Sequence, residues 1–127
     1  MKECFMTSVG PKAVGPYSTA VVDGDTVYMS GMVPIDPAVG KLIDGDVETQ
    51  THRALQNIRD VLEEMGLSMA HVLKTTVLLT DLAAFGAVNG VYAEYFAPNF
   101  PARSCYQVAA LPLGASIEIE VIATKRI

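Results

Sequence analysis

Val47–Met65, VETQTHRALQNIRDVLEEM, is the stretch on which the fold reading turns. Its apolar residues Ala54, Leu55, Ile58, Val61, Leu62 and Met65 recur at spacings of one, three and four, which lines them along one stripe of a helix. Asp46 is placed to cap its start and Gly66 to end it. Such a stripe must be buried against another element, and the flanking sequence offers strands. YSTAVV (17–22) and TVYMS (26–30) precede the helix, while LKTTVLLT (73–80) follows it. A second helix opens at Asp81, with Leu82, Phe85, Val88, Tyr92, Tyr95 and Phe96 as its buried stripe, and the prolines at 98 and 101 end it. ARSCYQVAA (102–110) and ASIEIEVIATK (115–125) close the chain as two more strands, joined through Leu111-Pro112-Leu113-Gly114 as a final hairpin. The order ββαβαββ predicts an α+β fold, a mixed sheet with two helices packed on one face.

Two registers shape what this layer can do. Asp23-Gly24 between β-rich runs signals a hairpin, and a two-residue turn there pairs Val22 with Asp25 and sets Tyr17 opposite Ser30. In the last strand Ile117, Ile119, Val121 and Ala123 point one way, and Ser116, Glu118, Glu120 and Ile122 the other. One sheet face is therefore aliphatic, and the other bears carboxylates yet keeps apolar residues such as Ile122. With helices on one side alone, the second face is expected to be completed by another subunit.

The 127 residues fit a single domain over 1–127, half of them hydrophobic and 18% charged, as in an ordinary globular protein. A formal net charge of −5 with nine scattered Lys and Arg opposes binding of phosphate backbones, so no nucleic-acid partner is expected. MKECFMTSVG lacks an apolar signal core, and Asp81 and Asn89 interrupt the most apolar region, so neither a signal peptide nor a membrane span is read. Cys4 and Cys105 are too sparse for a disulfide scaffold and read as reduced, which suggests the cytoplasm. His52 and His71 have no ligating residues at metal spacing, and dinucleotide, phosphate-loop and serine-elbow motifs are missing.

What remains is polar residues where strands and helix faces should be bland: Tyr17, Ser30, Asn89, Arg103, Cys105, Glu118 and Glu120. Each has an ordinary reading, as edge aromatic, turn hydroxyl, solvated helix residue, small hydrophobe, or an Arg103–Glu118 ion pair across the final hairpin. Glu120 keeps that ordinary reading. Taken together, an arginine, a carboxylate, hydroxyls and a glycine backbone suit an anionic carboxylate ligand and one proton transfer.

Pro101-Ala102-Arg103-Ser104-Cys105-Tyr106, followed by Ala109, Leu111 and Ile117-Glu118-Ile119, resembles the C-terminal signature of the RidA/YjgF family of reactive intermediate deaminases. The likeness extends over Gly15-Pro16-Tyr17, Ser30-Gly31 with Pro34, Thr75-Thr76-Val77 with Asp81-Leu82 and Phe85, and Val88-Asn89 with Tyr92. The resemblance implies a chorismate-mutase-like fold, assembled as a homotrimer with clefts between subunits. It implies hydrolysis of imino and enamino acids such as 2-aminoacrylate and 2-aminocrotonate to 2-keto acids and ammonia, with no cofactor and no metal. Carried onto this chain, it makes Arg103 the clamp for the substrate carboxylate and Glu118 the group that deprotonates water. Gly31 would offer a backbone N–H, Cys105 would act through its main chain near the imine nitrogen, and Tyr17, Ser30 and Asn89 would line the cleft. Met32 stands where many relatives have a polar residue, often Gln; if it borders the cleft, preference shifts toward longer side chains. A non-catalytic protein that binds keto or amino acids in the same cleft is the alternative, and an RNA-cleaving role fits the acidic balance poorly.

Overall fold

The apolar stripe of the first helix lies against an antiparallel and parallel sheet, as the pattern requires. The computed structural model describes residues 1–126. Its strands are β1 (Glu3–Phe5), β2 (Ala20–Asp23), β3 (Thr26–Met32), β4 (Ile35–Asp36), β5 (Lys41–Leu42), β6 (Val72–Leu79), β7 (Ala102–Gln107) and β8 (Ile117–Thr124); its helices are α1 (Val47–Glu64) and α2 (Phe85–Phe96). Six strands form one mixed sheet in the order β1-β2-β3-β8-β6-β7, and β4 pairs with β5 apart from it. Within that sheet only β6 and β7 run parallel, joined by α2 as a crossover.

Local chemistry sets the ends of α1. Asp46 Oδ1 accepts the Thr49 N–H at 2.8 Å, satisfying one of the donors left free at a helix start. At the other end Gly66 takes φ +80, and Leu67 N–H returns to the Leu62 carbonyl at 2.8 Å, closing a glycine cap. Ala54, Leu55, Ile58, Val61 and Leu62 are buried against Val27, Val77, Leu79, Ile117, Ile119 and Val121 of the sheet. Polar groups that enter this core are satisfied: the Thr75 and Tyr92 hydroxyls pair at 2.7 Å, and Asn57 Nδ2 donates to the Ile35 carbonyl at 2.8 Å, tying β4 to α1.

The structure corrects several expectations. The β2–β3 turn centres on Gly24-Asp25, with Asp23 opposite Thr26 and Val22 opposite Val27. Gly24 takes φ +60 as the first turn residue, a conformation free of cost only without a Cβ. Tyr17 therefore falls before the strand, and Ser30 N–H bonds to the Thr19 carbonyl instead, at 2.9 Å. No hairpin joins β7 to β8, because β6 lies between them. The connection arcs around the end of β6, with Val108 N–H on the Leu79 carbonyl at 2.8 Å and Thr80 N–H on the Ser116 carbonyl at 3.2 Å. Asp81 caps a short 3-10 turn, Leu82–Ala84, ahead of α2, so Leu82 and Phe85 are largely exposed while Val88, Tyr92 and Phe96 are buried.

Candidate active site

Strand alternation decides where the polar residues go. Arg103 sits in register with Thr75 and, through it, with Val121, both of which face the helices. Its guanidinium accordingly lies on the helix side, 4.9 Å from the Tyr92 ring centre and 5.1 Å from that of Phe85, and Nη1 donates to Asn89 Oδ1 at 2.8 Å. Among the described residues no carboxylate lies within ion-pair distance of it. Arg103, Asn89, Tyr92, Ala93, Phe100 and Pro101 line a cleft of about 480 Å³. Cys105, two residues on in the same strand, packs against the core, and burial pushes its thiol above the usual value while the Arg103 charge opposes the shift. An upward shift disfavours the thiolate that nucleophilic attack needs.

Glu118 alternates with the buried Ile117 and Ile119 and so points to the opposite face of the sheet. The ordinary reading of an Arg103–Glu118 ion pair therefore falls away: the two groups are separated by the sheet itself. Half-buried, Glu118 finds no hydrogen-bond donor among the described residues. Burial, and then the neighbouring Glu120 carboxylate, raise its pKa above the ordinary glutamate value. Beside it the β3–β8 ladder skips: Met29 pairs with Val121 and Met32 with Ile119, leaving Ser30 and Gly31 together as a bulge. A Cβ on Gly31 would stand 2.5 Å from Glu118 Oε2, so the missing side chain is what gives the carboxylate its place. Ser30 Oγ donates to the Ser18 carbonyl at 2.7 Å, fixing the segment that leads back to Tyr17.

Tyr17, Ser30, Gly31, Met32 and Glu118 border a second cleft of about 180 Å³, together with Lys12, Val14, Pro112 and Leu113. The side chain of Met32, however, belongs to the core and is 4% exposed, so its effect on the cleft is indirect. The candidate residues thus form two groups, Arg103 with Asn89 and Cys105 on one side and Tyr17, Ser30, Gly31 and Glu118 on the other. Residue type alone pointed to each member, but the split depends on the parity of strands that are distant in sequence. Pro112 and Leu113, a linker by sequence, also border the second cleft; the only sequence signal for them is the Leu-Pro-Leu-Gly turn just ahead of Glu118. No group of three or more His, Cys, Asp or Glu among the described residues converges as a metal site. His52 instead meets Tyr95 OH at 2.9 Å, and His71 Nδ1 accepts the Ser68 N–H at 3.1 Å.

Fold and site define an α+β layer that holds a charge-ready arginine on one face and a perturbed glutamate on the other. A family model described as Endoribonuclease L-PSP matches residues 7–125, and the chain belongs to this family, the RidA/YjgF family. It is 46% identical over 123 residues to the human 2-iminobutanoate/2-iminopropanoate deaminase, covering 97% of this chain and 90% of the relative. Among solved structures, RidA from the Antarctic bacterium Psychrobacter sp. superposes with a TM-score of 0.91 at 40% identity, covering 96% of this chain and 98% of that one. TdcF from E. coli with bound serine gives a TM-score of 0.90 at 38% identity, with 96% and 98% coverage.

Proposed function

We propose that this chain is an enamine/imine deaminase that hydrolyses reactive intermediates such as 2-aminoacrylate and 2-aminocrotonate to 2-keto acids and ammonia. Its similarity to curated 2-iminobutanoate/2-iminopropanoate deaminases over nearly the full length supports the reaction. The observation that carries it is a pair of unspent charges: among the described residues Arg103 has no partner carboxylate, and Glu118, raised in pKa, has no hydrogen-bond donor. The planar guanidinium takes both oxygens of the substrate carboxylate, and Asn89 sets its orientation. Glu118 removes a proton from water as the oxygen attacks C2 of the imine. The proton passes to the nitrogen to give a carbinolamine. Its C2 hydroxyl proton then moves to the same nitrogen as the C–N bond breaks, so that ammonia leaves and the C2 oxygen becomes the keto group; an enamine reacts as its imine tautomer. Gly31 offers its N–H to the ligand, Cys105 its main chain, and Tyr17 and Ser30 line the approach.

Because the two groups of residues occupy opposite faces of one sheet, the reading requires two copies of the chain per cleft. A chorismate-mutase-like homotrimer meets that requirement and covers the face left bare by the helices, which includes Tyr28 and Tyr106 at 50% and 57% exposure. The reaction needs only a small-molecule substrate and no cofactor, and the free cysteines suit the reducing cytoplasm. No helix among the described residues is long and apolar enough to cross a membrane.

The test couples a serine dehydratase, as the source of 2-aminoacrylate, to this protein and follows pyruvate. Faster release, lost in Arg103→Ala, is expected; no acceleration sinks the reading. The relative solved with bound serine favours one second reading, a binding protein using the same cleft. Arg103-dependent ligand binding without turnover would establish it. RNA cleavage that survives stringent purification and vanishes in Glu118→Gln would favour the activity in the family model's description instead.

A further inference from the structure

Leu113 adopts φ 61, ψ 14, the only positive-φ residue other than glycine among those described. A Cβ makes this left-handed region unfavourable, and leucine has no side-chain polar group to stabilise it locally. Within one chain the strain is not repaid by burial, since the side chain remains 65% exposed. Strain retained without a packing reward points to a role for the side chain itself. Its place is the rim of the cleft that holds Glu118, where Pro112 and Val14, the latter 84% exposed, extend the same apolar wall.

We infer that Leu113, with Val14 and Pro112, forms the seat for the substrate side chain and selects imino acids with extended apolar side chains over short or acidic ones. This rests on the deaminase reading for its chemistry, because Glu118 in the same cleft fixes where the reacting carbon sits. The arrangement shifts the basis of preference from Met32, whose side chain is in the core, to the turn before β8. Lys12 also borders the cleft and would favour acidic side chains, but it is exposed, and an ion pair made in water contributes little beside the burial of an extended apolar side chain. The apolar wall therefore sets the sign of the preference.

The test compares kcat/KM for oxidase-generated imino acids of leucine, alanine and glutamate in the wild type and in Leu113→Gly, which removes the wall and relieves the strain together. The wild type is expected to favour the leucine-derived substrate. The leucine-to-alanine ratio should fall about tenfold or more in the variant, the scale of a lost apolar pocket contact, with Tm no lower than in the wild type. An unchanged ratio, an equal fall for all substrates, or a wild-type preference for the glutamate-derived imine overturns the assignment. Calorimetry with the matching 2-keto acids separates this from the reaction. A Leu113-dependent binding preference without turnover keeps the seat and removes the deaminase; turnover without that preference does the reverse; neither removes both.

Discussion

A guanidinium cannot shed its charge, so Arg103, flanked by Phe85 and Tyr92 and bonded to the neutral Asn89, is stacked and oriented but not neutralised. Such a group is worth most when an anion arrives. Arg103→Ala is expected to lower kcat/KM for imino acids by roughly 1.5–3 kcal/mol, or about ten- to a hundred-fold or slightly more, as steady-state kinetics will show. Arg103→Lys should recover little of it, because a point charge loses the two-pronged geometry. Glu118 behaves in the opposite sense. Its raised pKa means that the ionised form is disfavoured by folding, so at neutral pH it destabilises the chain. Glu118→Gln should raise Tm at pH 7, with the gain fading as pH falls through the folded pKa toward the unfolded value near 4.5. The same variant should lose about a hundred- to ten-thousand-fold in turnover, the cost of a missing general base. A Tm gain that persists at pH 4 would mean that burial of charge is not its source.

At the level of elements, the Ser30-Gly31 bulge is what turns a plain β-strand into a support for Glu118. Gly31→Ala would drive a methyl against the carboxylate; because the carboxylate is a flexible side-chain end, it should move aside. Activity is expected to drop while the melting curve changes little, which circular dichroism and kinetics will separate. A second support lies far along the chain. Glu64, in the last turn of α1, accepts from Thr7 Oγ1 at 2.6 Å and from Ser8 N and Oγ at 2.9 and 2.5 Å, and Gly10 packs so closely that a Cβ there would meet Val61 at 2.6 Å. These bonds hold the segment that continues into Lys12, Val14 and Tyr17 of the cleft. Glu64→Ala should speed tryptic cleavage after Lys12 several-fold, since about 1 kcal/mol per solvent-exposed bond network is lost. Equal cleavage rates would show that the segment is held by packing alone. Helical periodicity made α1 readable nearly to the residue, because its stripe depends on neighbours within one turn. Strand existence was readable too, but pairing was not: nothing local in ARSCYQVAA says that β6, over twenty residues earlier, separates it from β8. The β2–β3 register moved for a local reason, the preference of Gly24 for the first turn position. The two-residue strands β4 and β5 and the edge strand β1 are too short for any period to register.

For the whole molecule, these errors of pairing matter more than errors of boundary. Residue types alone could nominate Arg103 and Glu118, yet a β7–β8 hairpin left open whether they share a face, and the true strand order puts them on opposite faces. One chain therefore cannot bring its own clamp to its own base through the sheet, and a site that uses both must borrow one of them. If the assembly is a trimer, light scattering will give three times the chain's 13.6 kDa. The sharper consequence concerns complementation between subunits. Arg103→Ala alone should keep about a tenth or less of wild-type kcat/KM and Glu118→Gln about a hundredth or less, but a cleft between one of each can contain an intact Arg103 and an intact Glu118. Equal amounts, unfolded and reassembled together, should recover about a quarter of wild-type turnover, since random neighbours in a cyclic trimer give the productive order in one arrangement of four. If each site lies within one chain, the mixture will stay as inactive as its components whatever the scattering mass, because every chain still lacks one of the two groups.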